Sequence, residues 1–158
     1  MKRILVTGGA GFIGSAFVRW QLKQYPDVHI VNLDKLTYAG NQENVANVDA
    51  ARHTFIQGDI ADREVMLQAM EGCDAVVNFA AETHVDRSIA GATEFLRTNV
   101  DGVYNLAECA KETGLSRVLF VSTDEVYGSI AEGSFTETSP LTPRNPYSAA
   151  KAGGELVG

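Results

Sequence analysis

The stretch "GGAGFIG" (8–14) follows "RILVT" (3–7), a short apolar run of buried-strand type, and opens "FIGSAFVRWQLKQY", whose apolar residues recur at helical spacing. A strand that turns through glycines straight into a helix is a restrictive arrangement. The glycines allow the turn and let backbone approach a ligand closely, while the helix start offers N–H groups that have no intrahelical partner. Gly9-x-Gly11-x-x-Gly14 in this setting is the fingerprint of a dinucleotide-binding βα unit, with the pyrophosphate at the helix N-terminus. A glycine turn alone marks only a bend, so the acid that completes the fingerprint matters. Asp34 lies 20 residues after Gly14, at the end of the apolar run "HIVNLD" (29–34). An acid there accepts hydrogen bonds from an adenosine ribose and repels a 2′-phosphate, which favours NAD over NADP. Lys35 follows it and is the one neighbour that could receive a phosphate instead.

The same alternation continues along the chain. "HTFIQGD" (53–59), "DAVVNFAA" (74–81) and "RVLFVS" (117–122) read as strands, 62–71 as a helix, and 91–113 as a long helix closed by Gly114. Near-continuous apolar strands separated by helices predict a doubly wound parallel α/β sheet of Rossmann type. Residues 128–146 carry three prolines and no usable period, and predict a long loop of the functional kind. A helix starts near Pro146 or Tyr147 and is still in pattern at Gly158. The expectation is therefore one incomplete NAD-binding Rossmann domain over 1–158, lacking a C-terminal substrate domain.

Composition narrows the function. At 158 residues and 45% hydrophobic the chain suffices for one core, and its net charge of −7 argues against nucleic acid or an anionic membrane as partner. No apolar run reaches bilayer length and the N-terminus does not read as a signal peptide, so the cytoplasm is expected. Cys73 and Cys109 read as small buried hydrophobes. His29, His53 and His84 are scattered without metal-ligand spacing, so no metal is expected.

Three further loops leave the carboxyl edge of the predicted sheet, where open α/β sheets bind ligands. "GDI" (58–60) either places Asp59 and Ile60 against an adenine or merely ends a strand. "FAAETHVDRS" (79–88) has small Ala80 and Ala81 where backbone would pass a cofactor. Its Glu82, Thr83, His84, Asp86 and Arg87 are either helix-cap chemistry or part of a site. "STDEVYGS" (122–129) sets Asp124 beside Glu125, as solvated loop acids or as the acid and base of a reaction. "NPYSAAK" puts Tyr147 and Lys151 on one helix face, a pairing that also arises by chance. An ammonium near a phenol favours the phenolate and so makes a base.

TGGAGFIG, the Asp34 strand end and YSAAK together resemble the extended short-chain dehydrogenase/reductases. "NLDKLTYAGN" (32–41), "AAETHVDRSI" and "STDEVYGS" resemble more closely the dTDP-glucose 4,6-dehydratases, and the likeness covers nearly the whole chain. That resemblance implies dehydration of dTDP-glucose with NAD: oxidation at carbon 4, loss of water across carbons 5 and 6, and return of hydride to carbon 6. Tyr147 would take the carbon 4 hydroxyl proton, Glu125 would be the general base at carbon 5, and Asp124 the general acid for the carbon 6 hydroxyl. Thr123 would hold the carbon 4 oxygen, and Lys151 would tune Tyr147 and hold the nicotinamide ribose. The implied cofactor contacts are Gly8, Gly11, Phe12, Ile13, Gly14, Asp34, Lys35, Leu36, Thr37, Asp59, Ile60, Phe79, Ala80, Ala81, Glu82, Thr83, Thr98, Tyr147 and Lys151. The implied substrate contacts are Thr83, Thr123, Asp124 and Glu125. Thr83 and Ala150 stand where serine is frequent in the family. The thymidine preference rests on the resemblance alone, as does a homodimer of the parent protein through helices 91–113 and 147–158. The chain by itself is expected to turn over little substrate. Two other functions stay open, a nucleotide-sugar epimerase or decarboxylase and a dinucleotide-binding module without catalysis.

Overall fold

Five strands, β1 (Arg3–Thr7), β2 (His29–Asp34), β3 (His53–Gln57), β4 (Ala75–Asn78) and β5 (Val118–Phe120), form one parallel sheet in the order β3-β2-β1-β4-β5. The computed structural model describes residues 2–158. The helices are α1 (Phe12–Gln24), α2 (Arg63–Met70), α3 (Val85–Ala90), α4 (Thr93–Leu96), α5 (Val103–Glu112) and α6 (Pro146–Val157), with a π turn (Arg97–Gly102) joining α4 to α5.

The strands are apolar on both faces because both faces are covered. Leu5, Val31, Leu33 and Val76 point one way and pack with Met66 and Met70 of α2 and Leu106 and Cys109 of α5. Ile4, Val6, Ile30 and Val77 point the other way, onto Val18 and Leu22 of α1. This is the period-two alternation of a strand, used twice over. From the central β1 the chain builds outward through β2 and β3, then restarts on the other side with β4 and β5. The reversal opens a crevice beyond the carboxyl ends of β1 and β4, the place where a doubly wound sheet takes its ligand.

The doubly wound fold is the one expected, with differences at the ends. β4 stops at Asn78, so 79–81 is loop and carries its backbone groups toward the crevice. The polar cluster after it contains a short helix, α3, that local pattern does not reveal. The long helix expected over 91–113 starts at Thr93 and is interrupted by the π turn, where Asn99 is buried. Its end is as expected: Thr113 caps α5 and Gly114 takes φ +70°, the conformation that favours glycine. Asp62 caps α2 by accepting from the N–H groups of Glu64 and Val65. No helix among the described residues is long and apolar enough to cross a membrane.

Gly9 owes its identity to packing beneath the turn. A Cβ there would lie 2.1 Å from Oδ1 of buried Asn32, whose Nδ2 meets His53 Nε2 at 3.2 Å. Gly9→Ala should therefore lower stability to urea by about 1–3 kcal/mol through overpacking. In an Asn32→Ala background the same change should cost much less, because the obstructing amide is gone. Equal penalties in the two backgrounds would place the strain elsewhere.

Candidate active site

The crevice is a cleft of about 300 Å³ lined by the end of β2, by the segments that follow all five strands, by Thr98 of the π turn and by α6. Its floor depends on two close approaches. Gly8, at φ +69°, passes so near the strand β4 exit that a Cβ would meet Ala80 N at 2.5 Å, and a Cβ on Gly14 would meet Gly8 O at 2.2 Å. Gly11 caps α1 without any side-chain hydrogen bond, so the first-turn amides of α1 are left to the cleft. Phe12 and Ile13 stand at the lip, 89% and 61% exposed. Gly8, Gly11 and Gly14 wall the cleft, and Gly9 does not. The expected Gly9-x-Gly11-x-x-Gly14 pattern is thus corrected at its first position: Gly8 makes the turn, and Gly9 serves the packing below it.

Asp34 closes the β2 side. One carboxylate oxygen accepts from Ala10 N–H at 2.9 Å and the other from Leu36 N–H at 2.8 Å. A Cβ on Gly40 would lie 2.7 Å from Asp34 Oδ1, so glycine at 40 leaves room for that arrangement. Lys35 and Thr37 line the cleft; Leu36 does not, and takes part only through its amide. Lys35 Nζ lies 2.9 Å from Asp59 Oδ2, with Arg97 Nη2 at 3.5 Å from the same oxygen. The lysine's charge is therefore already matched, which weakens it as a receiver for a 2′-phosphate. Burial pushes the Asp59 carboxyl up, but the Ala61 N–H and the two cations outweigh it and hold the pKa below the usual value. Ile60 lies beside Asp59 on the cleft wall.

The third side is the loop Phe79, Ala80, Ala81, Glu82 and Thr83, together with Thr98, all on the cleft wall. Asn99 fixes this loop: its Oδ1 accepts from Glu82 N–H and its Nδ2 donates to Glu82 C=O, each at 2.9 Å. Sequence reasoning missed Asn99, because only the π turn aims it inward. Glu82 is partly buried, and loss of water raises its carboxyl pKa against the pull of Arg87 and Lys35. Over the outer rim, Tyr38 Oη lies 3.2 Å from both Thr83 O and Thr83 Oγ1, and the Arg87 guanidinium sits 3.7 Å above the Tyr38 ring.

The fourth side carries the reactive groups. Tyr147 and Lys151, one turn apart on α6, both line the cleft, joined by Val121 and Ser122 of the β5 exit. Thr123, Asp124 and Glu125 stand just outside the cleft wall, where Thr123 caps the one-turn 3-10 helix Asp124–Tyr127. They are near enough to Tyr147 to act on it. Burial raises the phenol pKa, the Thr123 hydroxyl as hydrogen-bond partner lowers it, and the charges of Glu125 and Asp124 raise it again, for a net rise. Asn145 caps α6 by accepting from Ser148 N–H at 2.8 Å, and its Nδ2 donates to Glu125 Oε2 at 2.9 Å. The start of α6 falls at Pro146, as expected from the sequence, but the reach of Asn145 to Glu125 follows only from the fold.

The Lys151 ammonium is directed to backbone and not to the phenol. Its Nζ donates to Val121 C=O at 2.7 Å, and burial lowers its own pKa against the opposing charge of Glu155. The phenol feels two carboxylates and the loss of water instead.

With this geometry in hand, the comparisons with known proteins fall into place. The model of the GDP-mannose 4,6-dehydratase family matches residues 5–158. The chain belongs to this family. Among its relatives, the low-salt glycan biosynthesis protein Agl12 of Haloferax volcanii is 54% identical over 155 residues, 98% of this chain and 50% of that protein. A dTDP-glucose 4,6-dehydratase of Streptomyces niveus is 51% identical over 160 residues, 98% of this chain and 48% of that protein. The solved dTDP-glucose 4,6-dehydratase DesIV of Streptomyces venezuelae, with NAD bound, superposes at a TM-score of 0.94 with 58% identity, covering 98% of this chain and 50% of that one. The chain thus spans about half the length of the dehydratase-family relatives it matches.

The electrostatics of Tyr147 give a direct test. In the cofactor-free protein, difference titration against Tyr147→Phe at the tyrosinate absorption band should place its ionisation above the ordinary phenol value of 10.0. Asp124→Asn and Glu125→Gln should each lower that midpoint, and Lys151→Met should move it little. A large upward shift in Lys151→Met would show that the ammonium governs the phenol after all.

Proposed function

We propose that the full-length protein is an NAD-dependent lyase that dehydrates dTDP-glucose to dTDP-4-keto-6-deoxyglucose. The observation that carries this reading is the packing of the start of α6, with Tyr147, against the turn that holds Asp124 and Glu125, tied by Asn145 Nδ2 to Glu125 Oε2 at 2.9 Å, beside a cleft whose floor suits a dinucleotide. The fit is physical: free amides at the α1 start for a pyrophosphate, Asp34 for an adenosine ribose, and small residues where a cofactor would press against backbone. The solved relative with NAD bound supports the same cofactor. NAD, when bound, supplies the acceptor for hydride from carbon 4 and its return to carbon 6.

This chain's own residues then move the protons. Tyr147 takes the proton of the carbon 4 hydroxyl, which requires the loaded site to bring its phenol below the raised pKa of the cofactor-free protein. The ketone that results acidifies the carbon 5 hydrogen, which Glu125 removes as general base while Asp124 protonates the departing carbon 6 hydroxyl. Glu125 then exchanges that proton with solvent and protonates carbon 5 as hydride reaches carbon 6. The two acids have unlike surroundings: Glu125 is partly buried and accepts from Asn145 Nδ2, whereas Asp124 is exposed and accepts from the Thr123 hydroxyl at 3.3 Å. Thr83 and Thr123 are assigned to the sugar, and Lys151, beside Tyr147 on the cleft wall, to the nicotinamide ribose.

We assign 1–158 to the cofactor-binding domain and the nucleotide grip to residues beyond it, on the ground that the matched relatives are about twice as long. We further propose a cytoplasmic homodimer. The two free cysteines, one buried and one partly so, suit a reducing compartment, and half-exposed Leu96 and Tyr104 offer apolar surface along α4 and α5 for a second copy.

Full-length protein incubated with dTDP-glucose in deuterated water should give the 4-keto-6-deoxy product with deuterium at carbon 5. Asp124→Asn and Glu125→Gln should each lower kcat by about 10²–10⁴, the range for a positioned proton donor or acceptor. Turnover without solvent deuterium at carbon 5 would exclude the elimination.

A further inference from the structure

Asn145 starts α6 with more chemistry than a cap requires. Serine, threonine, aspartate and asparagine all serve at a helix N-cap, because the cap needs only an oxygen that accepts from the first turn. Here Asn145 Oδ1 accepts from Ser148 N–H at 2.8 Å, and Ser148 Oγ accepts in return from Asn145 N–H at 3.3 Å. The helix leaves the amide nitrogen unused. That nitrogen donates to Glu125 Oε2 at 2.9 Å.

The cap bond settles which way the amide points. Oδ1 faces an N–H donor, so the group turned to Glu125 is the NH2 end, and it meets the carboxylate as a donor. An aspartate at 145 would turn a second acceptor to the carboxylate, and a serine would spend its only oxygen on the cap. Among good caps, asparagine alone satisfies the helix and the carboxylate together. Glu125 is otherwise held through its backbone: its N–H donates to Thr123 Oγ1 at 3.3 Å and its C=O accepts from Gly128 N–H at 3.1 Å. Among the described residues, the Asn145 amide makes the one hydrogen bond to its carboxylate, and Oε1 is left open. Tyr147 has anchors of its own. Its N–H donates to Ser88 Oγ of α3 at 3.1 Å, and its ring meets Phe95 edge-on with centroids 6.4 Å apart.

We propose, on the dehydration reading above, that Asn145 is the positioning residue of the elimination step: its amide occupies Glu125 Oε2 and leaves Oε1 free to take the carbon 5 proton. The carbon 5 hydrogen passes to Oε1 as a proton, and its electron pair forms the double bond to carbon 6 as the carbon 6 hydroxyl departs with the Asp124 proton. Asn145 itself gains and loses nothing. The oxidation at carbon 4, which depends on Tyr147, does not draw on this amide.

The test is a single turnover of limiting dTDP-glucose by the full-length protein with NAD bound, followed through the absorbance of reduced nicotinamide, alongside steady-state kcat and KM. Oxidation precedes elimination, so a slow elimination lets NADH accumulate, whereas a displaced Tyr147 slows its appearance. Asn145→Ser keeps a good cap and removes the donor. It should form NADH at the wild-type rate, accumulate it, and lower kcat by about tenfold to a hundredfold, the cost of a small misplacement of a reacting group, with little change in KM. Asn145→Asp keeps the cap, turns an acceptor to Glu125, and should also accumulate NADH. Ser148→Ala weakens the cap without touching Glu125 and should keep the wild-type time course. Wild-type kcat in both Asn145 variants, a loss of rate with slowed NADH formation, or as much NADH in Ser148→Ala as in Asn145→Ser would each overturn the assignment and make Asn145 a cap alone, with the dehydration intact. Wild-type protein that consumes no dTDP-glucose would overturn both.

Discussion

One buried carboxylate fixes the geometry of the cofactor side. Asp34 holds the glycine turn through Ala10 N–H and its own following loop through Leu36 N–H, so the α1 start and the β2 exit are set by the same side chain. Charged acceptors make the stronger backbone hydrogen bonds, and both oxygens are used. Each oxygen keeps a lone pair for a ligand hydroxyl, so the residue that shapes the cleft is also one that can read a ribose. The Lys35–Asp59–Arg97 group extends this edge and leaves the lysine already matched.

Across the cleft, order comes from amide side chains. Asn99 pins both backbone groups of Glu82, and Asn145 joins the start of α6 to Glu125. A Cβ on Gly154 would meet Asn99 O at 2.3 Å, so α6 lies close against the π turn. Tyr147 therefore takes its position from a helix packed on the same turn that holds the 79–83 loop. The consequence is a reactive edge in which phenol, hydroxyl and two carboxylates share one corner, with the ammonium of Lys151 held below them by Val121.

Much of this was legible because the relevant signals are local. The strand-turn-helix of 3–14, the acid at 34 and the Tyr-Lys turn of α6 each follow from spacing in one segment, and the chain folds them as spacing implies. The parts that escaped are those that depend on contacts between segments. Gly8 and Gly9 are alike in sequence, and only the approach of Ala80 to one and Asn32 to the other separates their roles. Asn99 reads as a helix-surface polar residue until the π turn rotates it inward. Lys151 reads as the partner of Tyr147 from spacing alone, yet the nearby Val121 carbonyl draws it away. The acid pair is adjacent in sequence, but its unlike partners, Asn145 and Thr123, come from different distances along the chain.

The central claim is that a hydride taken at carbon 4 is delivered to carbon 6 of the same sugar while Tyr147, Glu125 and Asp124 handle the protons. The most direct measurement is the fate of label in dTDP-glucose carrying deuterium at carbon 4, turned over by the full-length protein. Deuterium found at carbon 6 of the 4-keto product, in the same molecule that lost it, is the expected result. Deuterium retained at carbon 4, as epimerisation would leave it, would contradict the account.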